Sequence, residues 1–335
     1  MKIAVKKLSD ICSEVLIQHG VPEEHAEIIS DSIIYAHRAG KATHGATRLG
    51  IYVSKIKSGF LKPDTPVKII SDNGAVTIHD ANHGFGQVAA HQAIQLAIKK
   101  SDDLGIGVSA VRHSNNFGTA AYFAKMATDA GKIALIFTNS APAIAPWGGN
   151  KPIFGTNPIA AGFPTHKGSP QIILDMAVSN VARGKIRLAA KKGEKIPFGW
   201  ALDPDGEPTD DPNLAIKGSM VPIGEHKGAG LSLIVDLFAG LLTGAAFAGG
   251  VKPLNTQDDY SNYGHLFMVI DPKFFMDPDS YNERMKHLIE TIKTEPGVNE
   301  IFLPGEQSHN NSEKNKETVE ISQNVFKEIK ALQAD

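Results

Sequence analysis

The sequence predicts an α/β fold in which a helical segment leads into a central sheet-containing body and helices return at the far end. Three observations carry this: apolar residues at helical spacing through the first sixty positions, short β-branched runs alternating with helices from Val67 onward, and amphipathic helical patterns again after Met285. Leu8 to His19 reads as a helix closed by Gly20. Pro22 introduces a second, Glu23 to Ala39, with acidic residues early and Arg38 late, as the helix dipole favours. Gly40 stops it. Gly45 to Ser58 reads as a third helix ended by Gly59, and Lys62–Thr65 (KPDT) as a linker. Val67–Ile70 and Val76–His79 read as strands and Gln87–Lys99 as a helix. Gly107–Val111, Thr119–Ala130 and Ile133–Thr138 then form a β-α-β alternation. Ile159–Phe163, Ile172–Met176 and Leu266–Ile270 are further strands. Met285–Thr294 and Val319–Leu332 are helices, with the polar stretch Glu306–Thr318 between them a surface loop. The implied division is a helical segment over 1–64, to which 272–335 returns, and an α/β body over 65–271.

Composition narrows the function. A hydrophobic content of 42% supports a sizeable core, and a formal charge of −2 offers neither nucleic acid nor an anionic membrane a basic surface. Cys12 is the sole cysteine, so no intrachain disulfide can form; with Leu8, Ile11, Val15 and Leu16 it lies on an apolar helical face. The opening MKIAVKKLSD lacks the apolar core and cleavage site of a signal peptide, which leads us to expect a cytoplasmic protein. Leu231–Gly250 is about long enough to span a bilayer. Asp236 near its centre would cost roughly 2.5–3.5 kcal/mol there, and Gly240, Gly244, Ala245 and Gly249 suit a buried, closely packed helix instead. No HExxH or CxxC accompanies the histidines His79, His83 and His91, so no metal site is expected.

Several stretches bear on chemistry. Gly84-Phe-Gly-Gln-Val-Ala89 matches a loose dinucleotide fingerprint, but the following strand ends Val111-Arg112-His113 without the acidic residue that holds a ribose; a plain glycine turn before a helix fits it. In Thr43-His44-Gly45-Ala46-Thr47-Arg48, Thr43 is placed as an N-cap, with His44 in the first turn and Arg48 four residues on. A helix N-terminus keeps such a histidine neutral, and a guanidinium one turn away can hold a carboxylate while the imidazole exchanges a proton with the adjacent oxygen. From these residues alone, a capping threonine with a surface histidine and arginine is the preferred reading. Asn115-Asn116-Phe117-Gly118 lies between a strand and a helix, where contact with a ligand or simple capping would look the same. Pro146–Gly149, Gly155–Pro158 and Asp175–Ala177 are conspicuous loops. Gly224–Gly230, with Lys227 among glycines before the apolar helix, is either a pyrophosphate clamp or a structural turn.

Together and in this order, these motifs resemble the malate/L-lactate dehydrogenase family of the non-Rossmann type. The matching stretches include Thr43–Arg48 with Tyr52, Asn115–Gly118, Pro146–Gly149, Gly155–Pro158, Leu174–Ala177, Ala182–Lys185, His226–Gly228 and Leu303–Glu306. The resemblance implies a central mixed-sheet, non-Rossmann nicotinamide-binding domain, a helical domain from the N- and C-terminal segments, and a homodimer with its site near the interface. It implies NAD, or NADP, as cofactor and a small 2-hydroxy or 2-oxo carboxylic acid as substrate. By the same resemblance His44 is the acid/base oriented by Thr43, Arg48 holds the carboxylate, and Phe117, Gly118, Ser140, Asp175, Met176, Ala177, His226, Lys227 and Gly305 meet the dinucleotide. Asn116 stands where the family usually has histidine, which places proton transfer on His44 and leaves a catalytically silent dinucleotide-binding homologue as an alternative. Thr43 replaces a commoner serine. Lys185 stands where imine-reducing members carry an acid, which argues against that branch. Ureidoglycolate or a diketo sugar acid are further substrates compatible with the resemblance.

Overall fold

A computed structural model describes residues 1–166, 168–297 and 299–333. Helices α1 (Val5–Gln18) and α2 (Glu23–Arg38) bury one apolar stripe each, Leu8, Ile11, Cys12, Val15 and Leu16 on the first and Ala26, Ile29 and Ile33 on the second. These stripes pack with α3 (Leu49–Lys57) and, from the far end of the chain, α11 (Gln323–Leu332). Strand β1 (Lys2–Ala4) pairs antiparallel with β12 (Thr318–Glu320). The helix expected over Val319–Leu332 is therefore a strand followed by a shorter helix: Val319 alternates inward beside Ile3, and Ser322 caps α11 through Val325 N. The expected loop over Glu306–Thr318 is also corrected, because Glu306–Lys314 forms helix α10. Polarity misled there. The segment is held not by apolar burial but by side chains: Glu306 accepts from Leu303 N at 2.8 Å, and Asn315 donates to Arg38 O, a carbonyl at the end of α2, at 2.9 Å.

A seven-stranded sheet forms the centre. Its strands are β2 (Lys68–Asn73), β3 (Val76–Asp80), β4 (Ile106–Ser114), β5 (Ile133–Thr138), β6 (Ile159–Phe163), β7 (Ile172–Met176) and β11 (Tyr263–Ile270), in the order β2-β3-β4-β11-β5-β6-β7. Only β3 and β4 run parallel; the other neighbours are antiparallel, so the sheet is mixed. The anticipated β-α-β unit, β4 then α5 (Ala120–Asp129) then β5, exists, but β11 lies between its two strands. Helix α4 (Gly86–Leu104) and α5 cover one face through alanines such as Ala89, Ala93, Ala120 and Ala124, whose small size lets helix and sheet approach closely. Gly86 opens α4 because a Cβ there would run into the Asn115 carbonyl; this is the glycine turn the sequence suggested.

Two regions were less legible. Strands β8 (Ala201–Leu202), β9 (Pro208–Thr209) and β10 (Ser219–Met220) make a small antiparallel sheet that shares an apolar cluster with α6 (Arg183–Lys192) and α7 (Pro212–Lys217). Strands of two residues carry too little alternation to be seen in sequence. The apolar stretch from Leu231 is not a buried helix. It is α8 (His226–Asp236), continuing through a π-helical turn, Leu237–Leu241, and leaving Ile234, Leu241 and Leu242 45–59% exposed. Among the described residues no helix is long and apolar enough to cross a membrane. The remaining helix, α9 (Pro278–Thr294), has its Asp277 cap bonded to Ser280 N and ties back through Tyr281 to Pro164 O.

The π-turn packs on the sheet at Gly264 in β11, where a Cβ would overlap the Ala239 carbonyl and the Ala245 methyl. The Gly264 amide also donates to Asn139 Oδ1 at 2.9 Å. Gly264→Ala is expected to destabilise the protein by about 3 kcal/mol, the upper range of overpacking in a rigid core, read as a drop in the urea unfolding midpoint.

Candidate active site

The ends of β5 and β7, the C-terminus of α2 and the first turns of α5, α6 and α10 surround a cavity of about 1570 Å³. That exceeds the few hundred to 1,000 Å³ of a typical small-ligand pocket and can take an extended dinucleotide beside a small acid. Thr43, His44, Arg48, Asn116, Phe117, Gly118, Ser140, Asp175, Ala177 and Gly305 all line it. Met176, His226 and Lys227 do not. Lys227 and His226 lie exposed at the start of α8, where the His226 ring is 6.1 Å from that of Trp147.

The segment carrying His44 and Arg48 departs from the continuous helix expected from Gly45. Ala42–His44 and Ala46–Arg48 are two 3₁₀ turns on either side of Gly45, and α3 begins only at Leu49. Thr43 is consequently no N-cap. Its hydroxyl lies 3.2 Å from His44 Nδ1, and its carbonyl accepts from Arg48 Nε at 2.7 Å. The break has a steric cause: a Cβ on residue 45 would sit 2.6 Å from Nδ1 of His37, so only glycine lets the turn close on α2. His37 in turn donates from Nε2 to the Glu320 carbonyl at 2.8 Å. His44 and Arg48 thus share the cavity by a bonded turn rather than by helical spacing.

Burial depresses the His44 pKa to about 4, with the nearby Arg48 and Lys41 charges adding to the effect. The neutral imidazole expected from the sequence is present, though desolvation and two cations produce it rather than a helix N-terminus. With Nδ1 engaged by Thr43, Nε2 is the nitrogen free to exchange a proton. Arg48 keeps its terminal amines for a ligand, while Nε is spent on the Thr43 carbonyl.

Across the cavity, Asn116 turns its side-chain oxygen onto Gly118 N at 3.1 Å, which leaves its amide hydrogens unused by this turn. Phe117 is buried with its ring 4.5 Å from that of His265. His265 bridges three strands, Nδ1 to Thr138 Oγ1 at 2.7 Å and Nε2 to Ser114 Oγ at 2.8 Å, and full burial lowers its pKa to about 3. The conspicuous Gly155–Pro158 loop braces Ser140: Asn157 Oδ1 accepts from Ser140 N at 3.0 Å, and Ser140 Oγ accepts from Thr156 N at 3.0 Å. Asp175 accepts from Ala121 N, in the first turn of α5, at 2.9 Å. It faces the open cavity yet is walled by protein, and this burial raises its pKa against the pull of that amide and of Lys41. Gly305 holds φ +87°, and a side chain there would press on the backbone of Ile173. Such a bare backbone ledge, next to a carboxylate able to accept from hydroxyl groups, fits a sugar–phosphate chain.

Sequence reasoning missed Lys41, Thr119, Tyr263 and Arg187, which also line the cavity. Thr119 Oγ1 is buried without a hydrogen-bond partner among the described residues. Tyr263 arrives from β11, more than two hundred residues along the chain, and no local signal could have placed it here. Among the described residues, no group of three or more histidine, cysteine, aspartate or glutamate side chains is disposed to hold a metal ion.

The family model for malate/L-lactate dehydrogenases matches residues 3–330. L-sulfolactate dehydrogenase of Methanothermobacter thermautotrophicus is 37% identical over 330 residues, covering 98% of this chain and 95% of the relative. The (2R)-3-sulfolactate dehydrogenase (NADP(+)) of Chromohalobacter salexigens is 36% identical over 330 residues, covering 98% and 97%. Among solved structures, sulfolactate dehydrogenase from Methanocaldococcus jannaschii superposes with a TM-score of 0.93 at 37% identity, covering 99% of this chain and 96% of that one. Fold, cavity and these relatives define an NAD(P)-dependent hydroxyacid oxidoreductase. The chain belongs to the malate/L-lactate dehydrogenase family.

If burial and two cations together hold His44 near pKa 4, removing one cation must make protonation easier. In Arg48→Gln the His44 titration, followed by NMR of the imidazole, is expected to rise from about 4 toward the ordinary value without reaching it, because burial remains.

Proposed function

We propose that this enzyme catalyses reversible oxidation of a small 2-hydroxycarboxylate of the malate, lactate or sulfolactate type. The observation that carries the proposal is the Thr43–His44–Arg48 turn, which sets a neutral imidazole and a guanidinium on one wall of a cavity large enough for acid and dinucleotide together. Hydride exchange with the substrate carbon is the chemistry the nicotinamide supplies when bound. The chain's own residues bind, orient and move the proton. Arg48 clamps the carboxylate through its terminal amines, fixing the adjacent oxygen toward His44. In oxidation, His44 Nε2 takes the hydroxyl proton while Nδ1–H donates to the Thr43 hydroxyl; in reduction it returns that proton to the carbonyl oxygen. Asn116 offers its amide hydrogens to the same oxygen and does not titrate, which leaves proton transfer to His44.

Phe117, Gly118, Ser140, Asp175, Ala177 and Gly305 would hold the dinucleotide, the glycines by close backbone approach and Asp175 through ribose hydroxyls. NAD is our preference, with NADP the alternative that the Chromohalobacter relative's name brings. Lys185, with no carboxylate in its place, supports a hydroxyacid over a cyclic imine, although a Δ1-pyrroline-2-carboxylate reductase of Ancylobacter novellus is 34% identical over 337 residues, covering 99% of this chain and 97% of the relative. We further propose a cytoplasmic homodimer. The support for the dimer is the exposed apolar surface of α8 and the π-turn, where Ile234, Leu237, Phe238, Leu241 and Leu242 are 37–59% accessible, more than a monomer ordinarily leaves together.

The test follows absorbance of NADH or NADPH with oxaloacetate, pyruvate, sulfopyruvate, 2-oxoglutarate and diketogulonate, with a cyclic imine as control. Turnover of one acid is expected, and His44→Ala should lower it roughly 10²–10⁴-fold with cofactor binding retained; undiminished turnover in that variant would remove His44 from the mechanism. Leu241→Glu is expected to shift the sedimentation coefficient from dimer to monomer, and an unchanged value places the interface elsewhere.

A further inference from the structure

Arg48 and His44 account for the carboxylate and adjacent oxygen of a 2-oxo acid, but neither meets what lies beyond the next carbon. Most cations of the cavity wall already have partners. Arg38 donates to Ser312 O at 3.0 Å, Lys125 to Asp129 at 2.5 Å, and Arg183 to the carbonyls of Pro142 and Ile216 at 2.9 and 3.2 Å. Lys41 lies within electrostatic reach of the Asp175 carboxylate. Lys185 differs from these: it is exposed, it lines the same cavity, and its ammonium has no hydrogen-bond or ion-pair partner among the described residues.

The residue before it, Gly184, lies against the Thr43 side chain. A Cβ on that residue would lie 3.8 Å from Thr43 Cγ2, so the backbone of α6 runs directly alongside the turn that carries His44, and Lys185 is the next residue along. Lys41 and Arg48, not Lys185, are the charges felt by the imidazole, which is consistent with an ammonium that stands off from the reacting oxygen. Arg187 also has no hydrogen-bond or ion-pair partner among the described residues, but it crowds Arg183, one turn away on the same helix face.

We propose that Lys185 reads the far end of the substrate, binding a second anionic group on the carbon next to the reacting carbonyl and setting a preference for dianionic over monoanionic 2-oxo acids. The proposal rests on the hydroxyacid reading above. An ammonium is a mobile point charge, so it accepts a planar carboxylate or a tetrahedral sulfonate alike; the shared chemistry is a C3-linked anion. With no carboxylate among the described residues paired to it, the lysine is available to substrate without first breaking an internal ion pair.

The experiment compares kcat/KM for oxaloacetate, sulfopyruvate and pyruvate in the wild type, Lys185→Gln and Lys185→Arg. In Lys185→Gln the ratio of either dianion to pyruvate should fall roughly 10- to 100-fold, chiefly through KM, as loss of one charge-assisted contact predicts, and Lys185→Arg should recover much of it. Equal losses on all three acids, or an unaltered ratio, overturns the assignment. A fall with only one dianion identifies the anion recognised and supports it. If the wild type turns over none of the acids, the hydroxyacid reading fails; the shift in melting temperature with malate against lactate, in the presence of NAD, then decides Lys185 separately. Stabilisation by malate that disappears in Lys185→Gln supports it, and an identical response in both proteins overturns it.

Discussion

The structure depends on the double hydrogen-bond ladder of β11. Tyr263–Ile270 enters between β4 and β5 and pairs antiparallel with both, so the two halves of the central sheet meet only through a strand contributed from late in the chain. Main-chain groups in a buried sheet must be paired, and without β11 the inner edges of β4 and β5 would both be left open. The insertion also sets the site. At one end of β11, His265 reaches both flanking strands, and the loops leaving them carry Asn116 and Phe117 on one side and Ser140 on the other. At the same end, Tyr263 enters the cavity wall. At the opposite end, Asp271 anchors Lys132 at 2.5 Å, closing a nearly buried ion pair between the end of β11 and the start of β5.

The chemistry of the cavity follows from how the chain satisfies its polar groups around that sheet. Ser140 is braced on two sides by the Thr156–Asn157 loop, and Asn157 is itself tied to Ser232 O at 2.8 Å. The Asp175 carboxylate satisfies an amide of α5 that the helix cannot pair internally. Opposite them, the Thr43–Arg48 turn uses its own carbonyl to hold the guanidinium and its hydroxyl to hold the imidazole. Groups facing the ligand are thereby oriented before it arrives, which lessens the reorganisation that reaction requires.

Much of the fold was legible because its signals are local. Ile133–Thr138, Ile159–Phe163 and Ile172–Met176 are strands with the bounds their apolar runs indicate, and α1, α2, α4 and α5 fall where periodicity and glycine stops place them. The motif residues also converge as expected: His44, Arg48, Asn116, Ser140, Asp175 and Gly305 line one cavity. What escaped detection was non-local. No pattern in Tyr263–Ile270 announces that it will split a β-α-β unit, and the polar helix α10 is stabilised by distant carbonyls on α2. The Thr43–Arg48 segment carries helical spacing, yet contact with His37 breaks it at Gly45. Lys227, among glycines at a helix start, has the local chemistry of a phosphate clamp and lies exposed at the start of α8, outside the cavity lining.

The His37 imidazole touches Gly45 on one side and holds the Glu320 carbonyl on the other. Through that one ring, a strand formed near the end of the sequence supports the turn that presents His44. A fragment stopping before residue 318 would retain the candidate catalytic and dinucleotide-contacting residues yet lack this support. The support of a turn within the first fifty residues is thereby deferred to a hydrogen bond that spans 283 positions of sequence.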